Sequence, residues 1–155
     1  MMSSPYLGRS VVVSPVGLVL TEWQGKRNAM TVSFFSEVAH YPTALWISIE
    51  QSSYTHELIQ ASGRFTLVVL DDRQASIARA CGSVSGRASD KCGGLKLYHG
   101  PGDELYMEEA YASAACRVRS AQPLGEHTLF IADILAGEIE TSRTIHRHLL
   151  TTDLA

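Results

Sequence analysis

With 155 residues, 45% of them apolar and 19% charged, the chain has the size and composition of one globular domain built on its own core, and not of a disordered segment. Its net charge of −3, from 13 basic and 16 acidic residues with no Lys/Arg stripe, argues against nucleic acid as a partner. The apolar run Val11-Val12-Val13 stops at Ser14-Pro15, far short of the ~20 apolar residues of a membrane span, so a cytoplasmic location without membrane association is expected.

In chain order, Val11–Thr21 is rich in Val and Leu and interrupted by Pro15 and Gly17, which predicts a strand with an irregular start. Trp23–Asn28 reads as a turn. Met30, Val32 and Phe34 then alternate with Thr31, Ser33 and Phe35, the period of a strand with one apolar and one mixed face. Ala44–Ile49 is a further strand, broken by Gln51-Ser52-Ser53. A short helix over Tyr54–Ala61 follows, with Ser52 or Ser53 as N-cap, Glu57 in its first turn and Gly63 at its C-terminus.

Phe65–Leu70 is an apolar strand, and Asp71 with Gln74 forms a capping box for a second helix, Arg73–Ala80, ended by Gly82. Ser83–Gly102 is polar, holds five glycines and reads as a long functional loop. Ala112–Val118 and His127–Ile139 are strands, the second preceded by a turn at Gly125-Glu126. The tail from Thr141, with His146 and His148, has no clear period. Some six strands against two short helices, without βαβ alternation, predict an antiparallel barrel with peripheral helices. Cys81, Cys92 and Cys116 are odd in number and lack C-x-x-C spacing, so buried thiols are expected, with no disulfide framework and no metal site.

Four stretches carry a resemblance. Asn28-Ala29-Met30-Thr31-Val32-Ser33-Phe34-Phe35-Ser36 resembles an N-x-M-T-x-S-x-x-S strand and loop, and Ser52-Ser53-Tyr54-Thr55-His56-Glu57-Leu58-Ile59 an S-S-x-T-x-x-L-I strand-to-helix turn. The pair Asp90-Lys91 lies in the polar loop, and Gly125-Glu126-His127-Thr128-Leu129-Phe130-Ile131 is similar to G-D-H-T-L-F-I. Together, in this order, they resemble the flavin reductase-like family. The resemblance implies a mainly β fold, an FMN-binding split β-barrel of antiparallel, Greek-key-like strands with short peripheral α-helices. It covers the chain from Pro15 to about Gly137, within one domain taken as 1–155 with a core of about 10–140. The chain departs from the family at Cys92, where Phe is frequent, and in its tail.

The resemblance further implies an NAD(P)H-dependent flavin reductase, passing hydride from NADH or NADPH to FMN, or to FAD or riboflavin as substrate. Reduced flavin would go to a partner monooxygenase or another acceptor. The alternative is a split-barrel module that binds FMN or haem for electron transfer or storage. Implied cofactor-binding residues are Asn28, Met30, Thr31, Val32, Ser33, Ser36, Gln51, Ser52, Ser53, Thr55, Arg87 and Lys91, with His127 beside the flavin or nicotinamide.

The residues alone leave room for plainer roles. Thr31, Ser33 and Ser36 suit the solvent face of an amphipathic strand, and a serine before a helix suits a cap. Lys91 and Arg87 could simply be solvated, and His127 an ordinary strand histidine. A helix N-terminus rich in hydroxyls is nonetheless suited to a phosphate, and the Thr55 hydroxyl is expected to reach it. No G-x-G-x-x-G or Walker loop is present, so nicotinamide would bind by stacking on the flavin. A homodimer is expected, both from the family and because strands such as Leu45-Ile47-Ile49 and Leu129-Ile131 offer apolar faces that one small barrel need not bury on both sides.

Overall fold

A computed structural model describes Gly8, residues 11–140 and residues 147–154. His146 lies outside the described residues. Seven strands form one antiparallel sheet: β1 (Gly17–Trp23), β2 (Lys26–Val32), β3 (Phe35–Ala39), β4 (Ala44–Glu50), β5 (Arg64–Val69), β8 (Ala112–Leu124) and β9 (His127–Ile139), in the order β2-β1-β5-β8-β9-β4-β3. Strands β6 (Leu97–His99) and β7 (Leu105–Met107) make a separate two-stranded ribbon. Helices α1 (Tyr54–Ser62) and α2 (Ala75–Gly82) lie outside the sheet.

Connectivity shows how the sheet curls. β2 and β3 are its opposite edges, yet only Ser33 and Phe34 separate them in the chain. So short a link spans at most about 11 Å, so the edges are drawn together and the sheet becomes a barrel, split where β2 hands over to β3. The Ser48 amide donates to the Phe34 carbonyl across this corner (2.9 Å). Here the alternation expected from the sequence fails. Phe34 is exposed, whereas Phe35 packs on the barrel core, because the break between strands shifts the inward-facing parity by one residue.

β1 is buried on both faces. Val19 joins Val32, Leu45, Ile47, Ile49, Phe65 and Phe130 inside the barrel, while Leu18 and Leu20 pack outward on Leu70, Ala78, Cys81, Cys92 and Leu149. This second cluster carries α2, the start of the polar loop and the C-terminal tail. Within the described part of the tail, residues 147–154, Leu149 is fully buried, and bridges run from Leu150 to Pro15 and from His148 to Asp71.

Several boundaries differ from the sequence reading. β1 begins at Gly17, because Val11–Val13 are exposed and Pro15 makes only an isolated bridge. The first turn is confined to Gln24-Gly25, both at positive φ, as a tight hairpin requires. α1 is capped as expected: Ser53 Oγ accepts from the His56 amide (3.1 Å), and Gly63 ends it in the left-handed region. Helix α2 starts two residues late. Gln74 Oε1 does accept from the Asp71 amide (3.0 Å), but the Asp71 carboxylate accepts from the Arg73 amide (2.9 Å), which closes a turn before the helix. The polar loop contains 3₁₀ turns at Lys91–Gly94 and Pro101–Asp103 as well as β6. All three cysteines are buried and unpaired. No helix among the described residues is long and apolar enough to cross a membrane.

Leu45, Ile47 and Ile49 are interior residues, so they are unavailable to a second subunit. Their alternates face outward: Trp46 and Ser48 are half-buried opposite Ile131 and Leu129 of β9.

Candidate functional site

At the barrel split lies a cavity of about 490 Å3, within the ~300–1,000 Å3 usual for small-molecule sites. Three groups of residues line it: Asn28 and Met30–Phe34 from β2 and the corner, Ser48 and Glu50 of β4 with His127 of β9, and Ser52–Tyr54 at the start of α1. The end of α2 and the loop after it close the remaining side through Cys81, Gly82, Val84, Ser85, Gly86 and Lys91. Nine expected site residues therefore meet in one place: Asn28, Met30, Thr31, Val32, Ser33, Ser52, Ser53, Lys91 and His127. Ser36, Gln51, Thr55 and Arg87 do not line it.

Asn28 occupies the inner wall and is almost wholly buried. Its Nδ2 donates to Thr55 Oγ1 (2.9 Å), while its Oδ1 is buried without a partner. An orphaned buried acceptor costs about 1–3 kcal/mol, and this one lies directly beneath Gly86 of the facing loop. Thr55 is fully buried and holds Asn28; its hydroxyl is not in the lining, contrary to the reach toward a phosphate expected from sequence. The Thr31 hydroxyl donates to the Ala78 carbonyl, tying β2 to α2.

Opposite, Lys91 Nζ donates to the Cys81 carbonyl (2.9 Å). Burial holds its pKa below the ordinary lysine value, as desolvation of a cation does. Burial also raises the Cys81 thiol and pushes Cys92 up to about 11, so neither is a thiolate nucleophile at neutral pH. At the rim, the rings of Phe34 and His127 meet with centroids 5.6 Å apart, and His127 Nδ1 lies 3.4 Å from the Glu126 carboxylate. Gln51 acts behind this rim: its Nε2 donates to the His127 carbonyl (2.8 Å) and its amide to the Glu126 carbonyl (2.8 Å), fixing the β8–β9 turn. Ser36 is exposed on β3.

Phe34, Ser48, Glu50, Tyr54, Cys81, Gly82, Val84, Ser85 and Gly86 were not anticipated as lining. Ser48 carried a signal, as the one hydroxyl in the apolar run 44–49. Gly86 had none that local sequence could reveal: a Cβ there would stand 2.1 Å from Asn28 Oδ1, a contact between distant segments.

A cavity with an aromatic rim, hydroxyls and main-chain groups along one wall and a half-buried lysine fits a ring-bearing anionic ligand such as a flavin nucleotide. The family profile described as "Flavin reductase like domain" matches residues 8–151. The reductase component of an FADH(2)-dependent resorcinol hydroxylase from Rhizobium sp. is 31% identical over 76% of this chain and 66% of that protein. The chain spans just under two thirds of the length of the first curated relatives it matches. Among solved structures, flavoredoxin from Methanosarcina acetivorans matches with TM-score 0.79 and 27% identity, over 86% of this chain and 72% of that one. An FMN-binding protein from Thermus thermophilus shares the fold, with TM-score 0.83 and 21% identity over 92% and 78% of the two chains.

Proposed function

This chain belongs to the flavin reductase like domain family, and from that membership we propose that it is an NAD(P)H:flavin oxidoreductase holding FMN in the cavity at the barrel split. The observation that carries the reading is the convergence of Asn28, Met30–Ser33, Ser52, Ser53, Lys91 and His127 on one cavity at the barrel split, with main-chain groups, hydroxyls and a lysine available to a flavin and its phosphate. Main-chain groups and hydroxyls along Met30–Ser33 would meet the edge of the ring and the ribityl chain. Ser52, Ser53 and the α1 N-terminus, facing Lys91, would hold the terminal phosphate.

When bound, FMN supplies the acceptor for a hydride, two electrons and a proton, from NADH or NADPH. The protein's part is orientation and exclusion of water. Asn28, fixed by Thr55, sets the depth of the ring; Lys91 balances the phosphate; Phe34 and His127 frame the open rim where a nicotinamide would stack. His127 places a ligand by contact and hydrogen bonding, because direct hydride transfer needs no general acid at that position.

Reduced flavin would pass to a monooxygenase, as the name of the resorcinol hydroxylase component suggests, or to another acceptor; the expected location is the cytoplasm. FAD or riboflavin would serve as alternative substrates. The outward strip of Trp46, Leu129 and Ile131, next to the Phe34–His127 rim, suits an isologous homodimer contact that completes the pocket. Flavin should then tighten the dimer. Nicotinamide oxidation with added FMN, FAD or riboflavin tests the activity. Spectral binding of FMN without oxidation of either nicotinamide would leave an FMN-binding module; no spectral change at micromolar protein would remove the reading altogether.

A further inference from the structure

The geometry points to Arg87 as the latch of a lid over the cavity, a positioning residue that sets how long flavin stays bound instead of contacting its phosphate. The inference rests on the flavin reading above. Between the end of α2 and Lys91, residues 83–90 form a loop whose neck is closed by the Lys91 Nζ bond to the Cys81 carbonyl. Inside the loop, the Ala88 and Ser89 amides donate to the Ser85 carbonyl (3.1 and 3.2 Å), and the Arg87 amide donates to Ser85 Oγ (3.2 Å). A compact loop with a closed neck and its own internal bonds moves as a unit.

Among the described residues, the hydrogen bonds tying Val84–Ser89 to the rest of the protein are those of the Arg87 guanidinium. Nη1 donates to the Ser52 carbonyl (2.8 Å) and Nη2 to the Ser53 carbonyl (3.5 Å). The same group lies 5.5 Å from the centre of the Tyr54 ring and 3.8 Å from the Glu57 carboxylate. Ser52–Tyr54 and Val84–Gly86 both line the cavity, so Arg87, itself outside the lining, ties one of its walls to another. Its donors are engaged by carbonyls and its charge is met by Glu57, an arrangement suited to fastening and poorly suited to a dianion. The closed position also requires glycine at 86, where a Cβ would collide with Asn28 Oδ1.

The test has two readouts. Hydrogen exchange of segment 83–90 is measured in the flavin-free chain, and dissociation of FMN and of riboflavin is followed by stopped flow, for the native chain, Arg87→Ala, Arg87→Lys and Gly86→Ala. Exposed ion pairs and cation–π contacts are each worth a few-fold, so Arg87→Ala should speed release of both flavins by the same factor, about 5- to 30-fold, and raise exchange in the segment. Arg87→Lys, lacking the planar fork, should recover only part. Gly86→Ala should prop the lid and speed release with Arg87 intact. Faster release of FMN alone would make Arg87 a phosphate ligand and overturn the latch, as would unchanged exchange and unchanged rates. If neither flavin binds the native chain, the flavin reading falls and the lid's role falls with it.

Discussion

The cavity's two walls are built by different means. The β2–α1 wall consists of regular elements whose backs are barrel core, and its key side chain, Asn28, is held by the buried bond to Thr55. The facing wall is a loop fastened at its neck by Lys91 and at its tip by Arg87, both bonded to main-chain carbonyls. Local opening is least costly where few apolar contacts and exposed bonds hold a segment. On the proposed reading, one wall would define the ligand's position and the other its exchange.

Core truncation behind the first wall should give the largest effect. Phe130 is almost fully buried, with its ring 5.4 Å from that of His56. Phe130→Ala should cost about 3–5 kcal/mol of folding stability, read by urea unfolding. Val84→Ala, in the half-exposed loop, should change it by no more than about 0.5 kcal/mol. Comparable losses would mean that the loop is as much a part of the folding core as the barrel.

Next comes charge at the neck. Lys91→Met should weaken FMN by roughly 1.5–3 kcal/mol, about 10- to 150-fold, and riboflavin far less, by calorimetric titration of both. Because burial lowers the Lys91 pKa, the native chain should lose FMN affinity as pH rises through a value below the usual lysine range, and riboflavin affinity should not follow. Equal losses for both ligands would assign Lys91 to loop closure alone.

Thr55→Val tests the fixed wall with a smaller change. It strands the Asn28 amide donor, at about 1–2 kcal/mol of stability, and should weaken FMN and riboflavin alike because Asn28 faces the part common to both. Selective loss of FMN would bring the hydroxyl back to the phosphate.

Much of the fixed wall was legible in sequence, and little of the loop. The cap at Ser53, the stop at Gly63 and the span His127–Ile139 are local patterns, and each is realised as read. Phe34 was misassigned because period two continues through a corner that only barrel closure imposes. Thr55 was assigned by its place at a helix start, whereas its direction is set by Asn28, 27 residues away. Leu149 sits in a tail without periodicity, yet its side chain completes the outer core. Gly86 and Arg87 act through contacts with Asn28 and Ser52 that no single-segment pattern encodes.

The smallest effects lie in two histidines that sample the contrast through pH. His56 bonds Thr128 Oγ1 (2.8 Å) between α1 and β9, and burial lowers its pKa. Below the unfolded value of about 6.5, the unfolded chain takes up a proton that the folded chain refuses. Stability should therefore fall as pH drops below ~6.5, with a slope of at most about 1.4 kcal/mol per unit. His99, on the exposed β6 ribbon, is raised by its hydrogen bond to Glu22, so its contribution is complete below ~6.5 and is lost as pH climbs through the raised value. The two windows adjoin without overlapping, and salt should flatten only the alkaline one, since the His99 pair is solvent-screened. Urea unfolding from pH 5 to 9 at low and high salt, with His56→Gln and His99→Gln, separates them. A salt-sensitive acid limb, or one that survives His56→Gln, would show that the pH response below 6.5 comes from surface charge and not from the buried α1–β9 contact.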